Sequence, residues 1–126
     1  MISRSPISNN EYSLPSEKLD GDLDNFLELN KHRKIVAIQG LGFVGTAMSL
    51  VVAKASTHYA VVGVDRCDEL NYWKIGSINN FELPIVSSDP KLSEYMSLAK
   101  ENQNLFATHD PGVYSAAEII VVDINL

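Results

Sequence analysis

The fold is decided by residues 35–45, which read IVAIQGLGFVG and are followed, twenty residues after the last glycine, by Asp65. Residues 35–38 are a continuous apolar run between a basic cluster and the glycines, as in a parallel strand that is covered on both faces. Apolar residues recur at helical spacing over residues 43–57, and residues 59–65 are again mostly apolar. This order predicts a strand, a glycine turn, a helix and a second parallel strand.

The three glycines of the turn have separate roles. Gly40 permits the tight turn, Gly42 lets the backbone approach a pyrophosphate, and Gly45 lets the helix pack closely on the strand. The helix N-terminus adds free N–H groups and a partial positive charge. Such a triplet can also be a purely structural turn, but here it follows a strand, opens a helix and precedes an acid at the expected distance. We therefore expect a dinucleotide site formed by Gly40, Gly42, Phe43, Val44 and Gly45.

Asp65 and Arg66 follow the second strand at the edge of the sheet where ligands bind. The Asp65 carboxylate can accept hydrogen bonds from both ribose hydroxyls of an adenosine and would repel a 2′-phosphate, so the pattern favours NAD over NADP. The alternative is that Asp65 caps a turn. Arg66 could attract a 2′-phosphate or lie on the adenine face, and beside Asp65 we expect adenine stacking or exposure to solvent. Cys67 has no evident partner base and is not expected to be a nucleophile.

The rest of the chain alternates helical and strand patterns. Helices are predicted at residues 67–75 (ended by Gly76), 91–100 and 112–118, a loop at 77–90, and strands at 104–108 and 119–124. The alternation indicates an α/β fold, a partial Rossmann-type doubly wound parallel sheet of about four strands in the order 3-2-1-4.

Residues 1–32 are expected to form a polar N-terminal arm, and residues 33–126 the dinucleotide-binding domain. Residues 1–20 are rich in Ser, Asn, Glu and Pro, which indicates a mobile tail or an arm adsorbed on the domain. Residues 22–31 have rough helical spacing, with Asp22 or Asp24 as the cap and an apolar side against the sheet. Alternatively, this segment covers a sheet edge or meets a partner chain.

Composition argues against several classes of function. The net charge of −6 disfavours a nucleic-acid binder, and no apolar run reaches the roughly 18 residues that span a membrane. The single cysteine and the absence of a secretory signal fit a reducing cytoplasm. The histidines lack metal-ligand spacing, although His109 could line the cofactor site. The unpaired edge of the fourth strand predicts association, with a homo-oligomer as one form of it.

The chain resembles the UDP-glucose/GDP-mannose dehydrogenases over about residues 34–126. Residues 40–45 match their G-L-G-[YF]-V-G turn, residues 62–65 (VGVD) match their second strand, and FATHD, which contains Thr108, resembles the A-T-x-D after their third strand. Between these motifs, Leu70-Asn71 with Gly76, then Pro84-Ile85 and Leu92, follow the N-x-G, P-I and L pattern of the family. The resemblance implies NAD as the cofactor and Thr108 as a neighbour of it.

That family oxidises the C6 alcohol of a nucleotide sugar to a carboxylate with two NAD⁺, through a cysteine in a later G-F-G-G-x-C stretch that this chain lacks. The resemblance therefore implies a cofactor-binding domain that binds NAD without turnover, while the nucleotide sugar binds to a C-terminal domain. The family's V-P-T-P is replaced by VDIN at residues 122–125, and its P-I-x-E-P is expanded at residues 84–90. Two alternatives remain open, the cofactor domain of a 3-hydroxyacid-type dehydrogenase and a non-catalytic NAD-binding module.

Overall fold

The computed structural model describes residues 1–123, which are built around a four-stranded parallel sheet. In chain order the elements are β1 (Ile2–Arg4), β2 (Glu11–Ser13), α1 (Gly21–Leu29), β3 (Lys34–Gln39), α2 (Phe43–Lys54), β4 (Tyr59–Val64), α3 (Tyr72–Asn79), α4 (Pro90–Asn102), β5 (Leu105–Thr108), α5 (Val113–Ala116) and β6 (Ile119–Val122). The sheet has the order β5-β4-β3-β6, while β1 and β2 form a separate antiparallel hairpin. The predicted Rossmann-type fold and the order 3-2-1-4 are confirmed.

The sheet is covered on both faces, which explains the continuous apolar runs of its central strands. Successive side chains of a strand point to opposite faces. Val36 and Ile38 of β3 accordingly pack into a core with α2, α3 and α4, whereas Ile35 and Ala37 pack into a second core with α1 and α5. Full burial of a large apolar side chain contributes roughly 1.5–3 kcal/mol, so these alternating positions hold the sheet between its two helical layers.

The helix after the second strand differs from its prediction. It begins at Tyr72 and continues through Gly76, which was expected to end the helix. The preceding residues form a turn instead, because the Asp68 carboxylate accepts hydrogen bonds from the Leu70 N–H and the Asn71 side chain. A Cβ at Gly76 would overlap the ring of Tyr12, so this glycine serves the close packing of the hairpin on α3.

The bounds of three other elements differ from the predicted bounds by a few residues. Helix α4 starts at Pro90 because the Asp89 carboxylate caps it, and α5 is shorter than the predicted 112–118. Strand β6 ends at Val122, and Ile124 of the predicted strand lies outside the described residues. Ile119, Ile120 and Val122 are 43%, 49% and 59% exposed on this edge strand. Association through that edge stays a prediction.

Residues 1–20, the first part of the N-terminal arm, are packed against the domain. Ser3 is fully buried, and its hydroxyl donates to the Glu69 carbonyl (2.8 Å) and accepts from the Trp73 N–H (2.9 Å). Helix α1 is capped by Asp20, not by the predicted Asp22 or Asp24. The apolar side of α1 lies against the sheet as predicted, with Phe26 stacked on Phe106 at 5.3 Å. Within residues 1–123, no helix is long and apolar enough to cross a membrane.

Candidate cofactor site

A cleft of about 370 Å³ lies at the carboxyl ends of β3, β4 and β6. Open α/β sheets bind their ligands at this edge, because the loops that leave the strands diverge there. The residues that line the cleft are Gly40, Leu41, Gly42, Phe43, Val44, Asp65, Arg66, Asn71, Lys74 and Asp123. The glycine turn and the acid after the second strand are therefore brought together in one site.

The glycine turn has the geometry of a phosphate cradle. Gly40 has a φ of 101°, in the left-handed region that a side chain disfavours. A Cβ on Gly45 would overlap the Gly40 carbonyl oxygen, so Gly45 packs beneath the turn and does not itself line the cleft. A Cβ on Gly42 would meet no atom within 4 Å, which leaves open space above the turn.

The N-terminus of α2 faces this space without a side-chain cap. Its N-cap residue is Gly42, which makes no side-chain hydrogen bond, and its first turn contains no acid. The free N–H groups and the partial positive charge of the helix end are thus available to an anion. This arrangement can hold a pyrophosphate without a basic side chain.

Asp65 is bonded to the glycine turn. Its Oδ2 atom accepts from the Leu41 N–H at 3.0 Å and its Oδ1 atom from the Arg66 N–H at 2.8 Å. The Lys74 Nζ atom lies 3.6 Å from Oδ2, and the side chains of Lys74 and Asp65 are 21% and 12% exposed. Asp65 therefore caps a turn, as the alternative interpretation of the sequence had it. Each carboxylate oxygen has a second lone pair, so the same group can also accept hydrogen bonds from ribose hydroxyls.

Several residues that line the cleft were not predicted from the sequence. Asn71 and Lys74 come from the start of α3, and the Lys74 ammonium donates to the Asn71 side-chain oxygen at 3.0 Å. Their spacing of three residues is a signal that a correctly placed helix would have revealed. Asp123 follows β6, and its position after a strand next to β3 also pointed to the ligand edge. Arg66, for which adenine stacking or exposure to solvent was expected, lines the cleft and is exposed.

Thr108 and His109 do not line the cleft. Thr108 is fully buried, and its hydroxyl donates to the Asp20 carboxylate at 2.7 Å. The His109 Nε2 atom lies 2.8 Å from the Glu17 carbonyl oxygen, and its ring lines a different cavity, of about 380 Å³, together with the arm. The arm crosses the carboxyl end of β5, where it bonds the Thr108 hydroxyl and the His109 Nε2 atom. The His109 Nδ1 atom is buried without a hydrogen-bond partner among the described residues. Thr108 lies outside the lining of the cleft, and its contact with the cofactor stays a prediction.

Cys67 is not an activated nucleophile in this structure. Burial raises the pKa of its thiol, and the nearby Asp68 carboxylate raises it further. The Sγ atom lies 3.7 Å from the Pro15 carbonyl oxygen, which can accept the thiol proton in a weak hydrogen bond. A protonated thiol is a poor nucleophile. In residues 1–123, no group of three or more His, Cys, Asp or Glu side chains could hold a metal ion.

Comparison with known proteins agrees with this geometry. The sequence profile of the UDP-glucose/GDP-mannose dehydrogenase family, NAD binding domain, matches residues 34–125. The crystal structure of an NDP-N-acetyl-D-galactosaminuronic acid dehydrogenase from Methanosarcina mazei Go1 aligns with 85% of this chain, with a TM-score of 0.68 and 22% identity. This chain spans 22% of the length of that dehydrogenase. A comparison with curated protein sequences gave no significant match. The chain belongs to the UDP-glucose/GDP-mannose dehydrogenase family, residues 34–125 are its NAD-binding domain, and NAD is its cofactor.

Proposed function

We propose that this chain is the cofactor-binding part of a nucleotide-sugar dehydrogenase that oxidises a C6 alcohol to a carboxylate in two NAD-dependent steps. The observation that supports this most directly is the cleft itself, where an uncapped helix N-terminus, the open space above Gly42 and the Asp65 carboxylate face one volume of about 370 Å³. The family match supports this function over that of a 3-hydroxyacid-type dehydrogenase.

The residues of the cleft suggest how the cofactor lies. The Asp65 carboxylate binds the adenosine ribose, and the N-terminus of α2 binds the pyrophosphate. Arg66 lies beside Asp65 on the exposed rim, where its guanidinium can cover the adenine face. The second nucleoside then extends over the other side of the glycine turn, toward the end of β6. A 2′-phosphate would approach the Asp65 carboxylate, so NAD binds more tightly than NADP.

The groups that this chain contains indicate which part of the reaction it supports. NAD, when bound, supplies the hydride acceptor at its nicotinamide ring. The chain's own residues bind and orient the cofactor, because the backbone groups and carboxylates in the cleft have no part in nucleophilic attack on a sugar aldehyde. Cys67 is the one cysteine of the sequence, and it is absent from the lining of the cleft. We expect these 126 residues to bind NAD without oxidising a nucleotide sugar.

The test is a calorimetric titration of NAD and NADP into the wild-type chain and into Gly42→Ala. A methyl group at residue 42 would occupy the space proposed for the pyrophosphate, so we expect NAD affinity to fall at least about tenfold, as for the loss of a close phosphate contact. The fold should be kept, because that Cβ meets no atom within 4 Å.

Gly21→Ala is the matched control for this experiment. Its Cβ also meets no atom within 4 Å, but residue 21 lies on α1, outside the cleft. This variant should bind NAD as the wild type does. Equal affinities of the wild type and Gly42→Ala for NAD, or tighter binding of NADP than of NAD by the wild type, would contradict the proposed pose.

A further inference from the structure

We propose that Asp123 makes the cleft select dinucleotides by the charge of the nicotinamide ring, so that NAD⁺ binds more tightly than NADH. The proposal rests on the proposed binding of NAD in this cleft. It is carried by the position of one carboxylate relative to the glycine turn and by the distribution of the cations around it.

A backbone hydrogen bond places Asp123 beside the glycine turn. Its backbone N–H donates to the Gln39 carbonyl at 2.8 Å, which continues the pairing of β6 with β3. Its Oδ2 atom lies 3.1 Å from the position that a Cβ on Gly45 would occupy. The carboxylate therefore lies over the first turn of α2, inside the cleft.

The two carboxylates of the cleft lie on opposite sides of the turn. Asp65 follows β4 and Asp123 follows β6, and these strands are the two neighbours of β3. Asp65 is compensated by two backbone N–H groups and by Lys74. Asp123 forms no salt bridge with any residue that the structure describes. The side of the cleft toward β6 therefore carries a carboxylate that is not paired with any side-chain cation of residues 1–123.

This asymmetry matters for the second nucleoside of the cofactor. If Asp65 anchors the adenosine and α2 the pyrophosphate, the nicotinamide half must leave the turn on the side of β6. The oxidised ring carries a positive charge and the reduced ring carries none, whereas the pyrophosphate is the same in both forms. The Asp123 carboxylate repels the pyrophosphate of both ligands but attracts only the oxidised ring. The ratio of the two affinities isolates the effect on the ring.

The experiment measures the dissociation constants of NAD⁺ and NADH by calorimetry for the wild type and for Asp123→Asn, an isosteric change that removes the charge. We expect the wild type to prefer NAD⁺. In the variant, the ratio of the NADH to the NAD⁺ dissociation constant should fall about fivefold, which is the effect of a charge pair at about 4 Å in water. The change should come mainly from tighter binding of NADH. Higher salt should reduce the wild-type preference.

Glu118→Gln is the matched control. Glu118 directly precedes β6, so it lies about 16 Å from Asp123 along the strand at about 3.3 Å per residue. Its loss removes the same charge from the other end of the sheet and should leave the ratio unchanged. Asp123→Glu retains the charge and should keep the preference for NAD⁺, and far-UV circular dichroism would confirm that each variant is folded.

The outcomes separate this inference from the proposed function. If both dinucleotides bind and the ratio is the same in Asp123→Asn as in the wild type, the inference is wrong and the proposed function stands. Equal tightening of both ligands would also overturn it, because the carboxylate would then act on the pyrophosphate alone. If the wild type binds neither ligand, the proposed function fails and the inference fails with it.

Discussion

The glycine-turn cleft and the N-terminal arm differ in the sequence separation of the residues that hold them in place. The parts of the turn that decide its shape come from one strand–helix–strand unit, in which Gly45 packs on the Gly40 carbonyl and Asp65 bonds the Leu41 N–H. The anchors of the arm join residues far apart in sequence, 66 residues for Ser3 with Glu69 and 90 for Asp20 with Asp110. A local motif is visible as a pattern, whereas a distant contact leaves no pattern around either residue.

The largest effect is expected from Gly45→Ala, which tests the local part of this comparison. The methyl group would overlap the Gly40 carbonyl oxygen, a backbone atom that cannot rotate away. We expect the free energy of unfolding to fall by about 3 kcal/mol. Urea denaturation measures it. Gly42→Ala, in the same turn, is the control and should cost no more than about 1 kcal/mol, because alanine is a poorer N-cap residue than glycine but its Cβ meets no atom within 4 Å. Equal stability of the two variants would contradict the close packing of helix and strand.

A smaller loss is expected from Gly76→Ala, which tests the docking of the arm. Alanine is intrinsically better than glycine in a helix by about 1 kcal/mol, but its methyl group would overlap the Tyr12 ring. We expect a net loss of about 2 kcal/mol in the free energy of unfolding.

The double variant Tyr12→Ala/Gly76→Ala identifies the cause of that loss. Removing the ring relieves the overlap, so the double variant should be less affected by the added methyl group than the single variant is. If Gly76→Ala costs the same in both backgrounds, the clash lies elsewhere and the hairpin is not responsible for the glycine.

The smallest effect is expected from Asp110→Asn and depends on pH. The Asp20 N–H and then the Gly112 N–H lower the pKa of the buried Asp110 carboxyl more than burial raises it, and His109 lowers it further. Because the folded-state pKa is below the usual value of about 3.9, the stabilisation is present above that pH and is lost as the pH falls through the folded-state value. Asp110→Asn should lose about 1 kcal/mol near neutral pH and less in acid. Denaturant midpoints measured from pH 7 to pH 2.5 should therefore converge for the two proteins, and parallel curves would contradict this.

Much of the fold could be predicted because its signals are periodic and local. Residues 35–38 and 59–64 form the central strands, and the order of all four strands followed from the alternation of strands with helices. The glycine turn and Asp65 were predicted to meet, because the carboxyl ends of neighbouring parallel strands lie at the same edge.

The errors fall where a distant residue decides the local structure. Gly76 resembles a helix terminator until Tyr12 is known to press against it. The side chain of the N-cap residue Asn71 makes no capping hydrogen bond to the backbone of α3. The Trp73 N–H in the first turn is bonded instead to Ser3, 70 residues earlier. The Thr108 hydroxyl likewise donates a hydrogen bond to Asp20 of the arm, 88 residues earlier. The local propensities of a sequence contain no information about contacts between residues that are far apart in the chain.

The bond between Ser3 and Trp73 has a consequence for spectroscopy. Trp73 is the only tryptophan of the sequence, it is 8% exposed, and its own backbone N–H is bonded to the arm. The tryptophan fluorescence of the chain therefore comes from a single indole at the contact between the arm and α3. A change in emission wavelength or in acrylamide quenching would report release of the arm directly, while circular dichroism follows the sheet and helices. The molecule thus contains an intrinsic optical probe for the segment that its sequence left open between a mobile tail and an arm adsorbed on the domain.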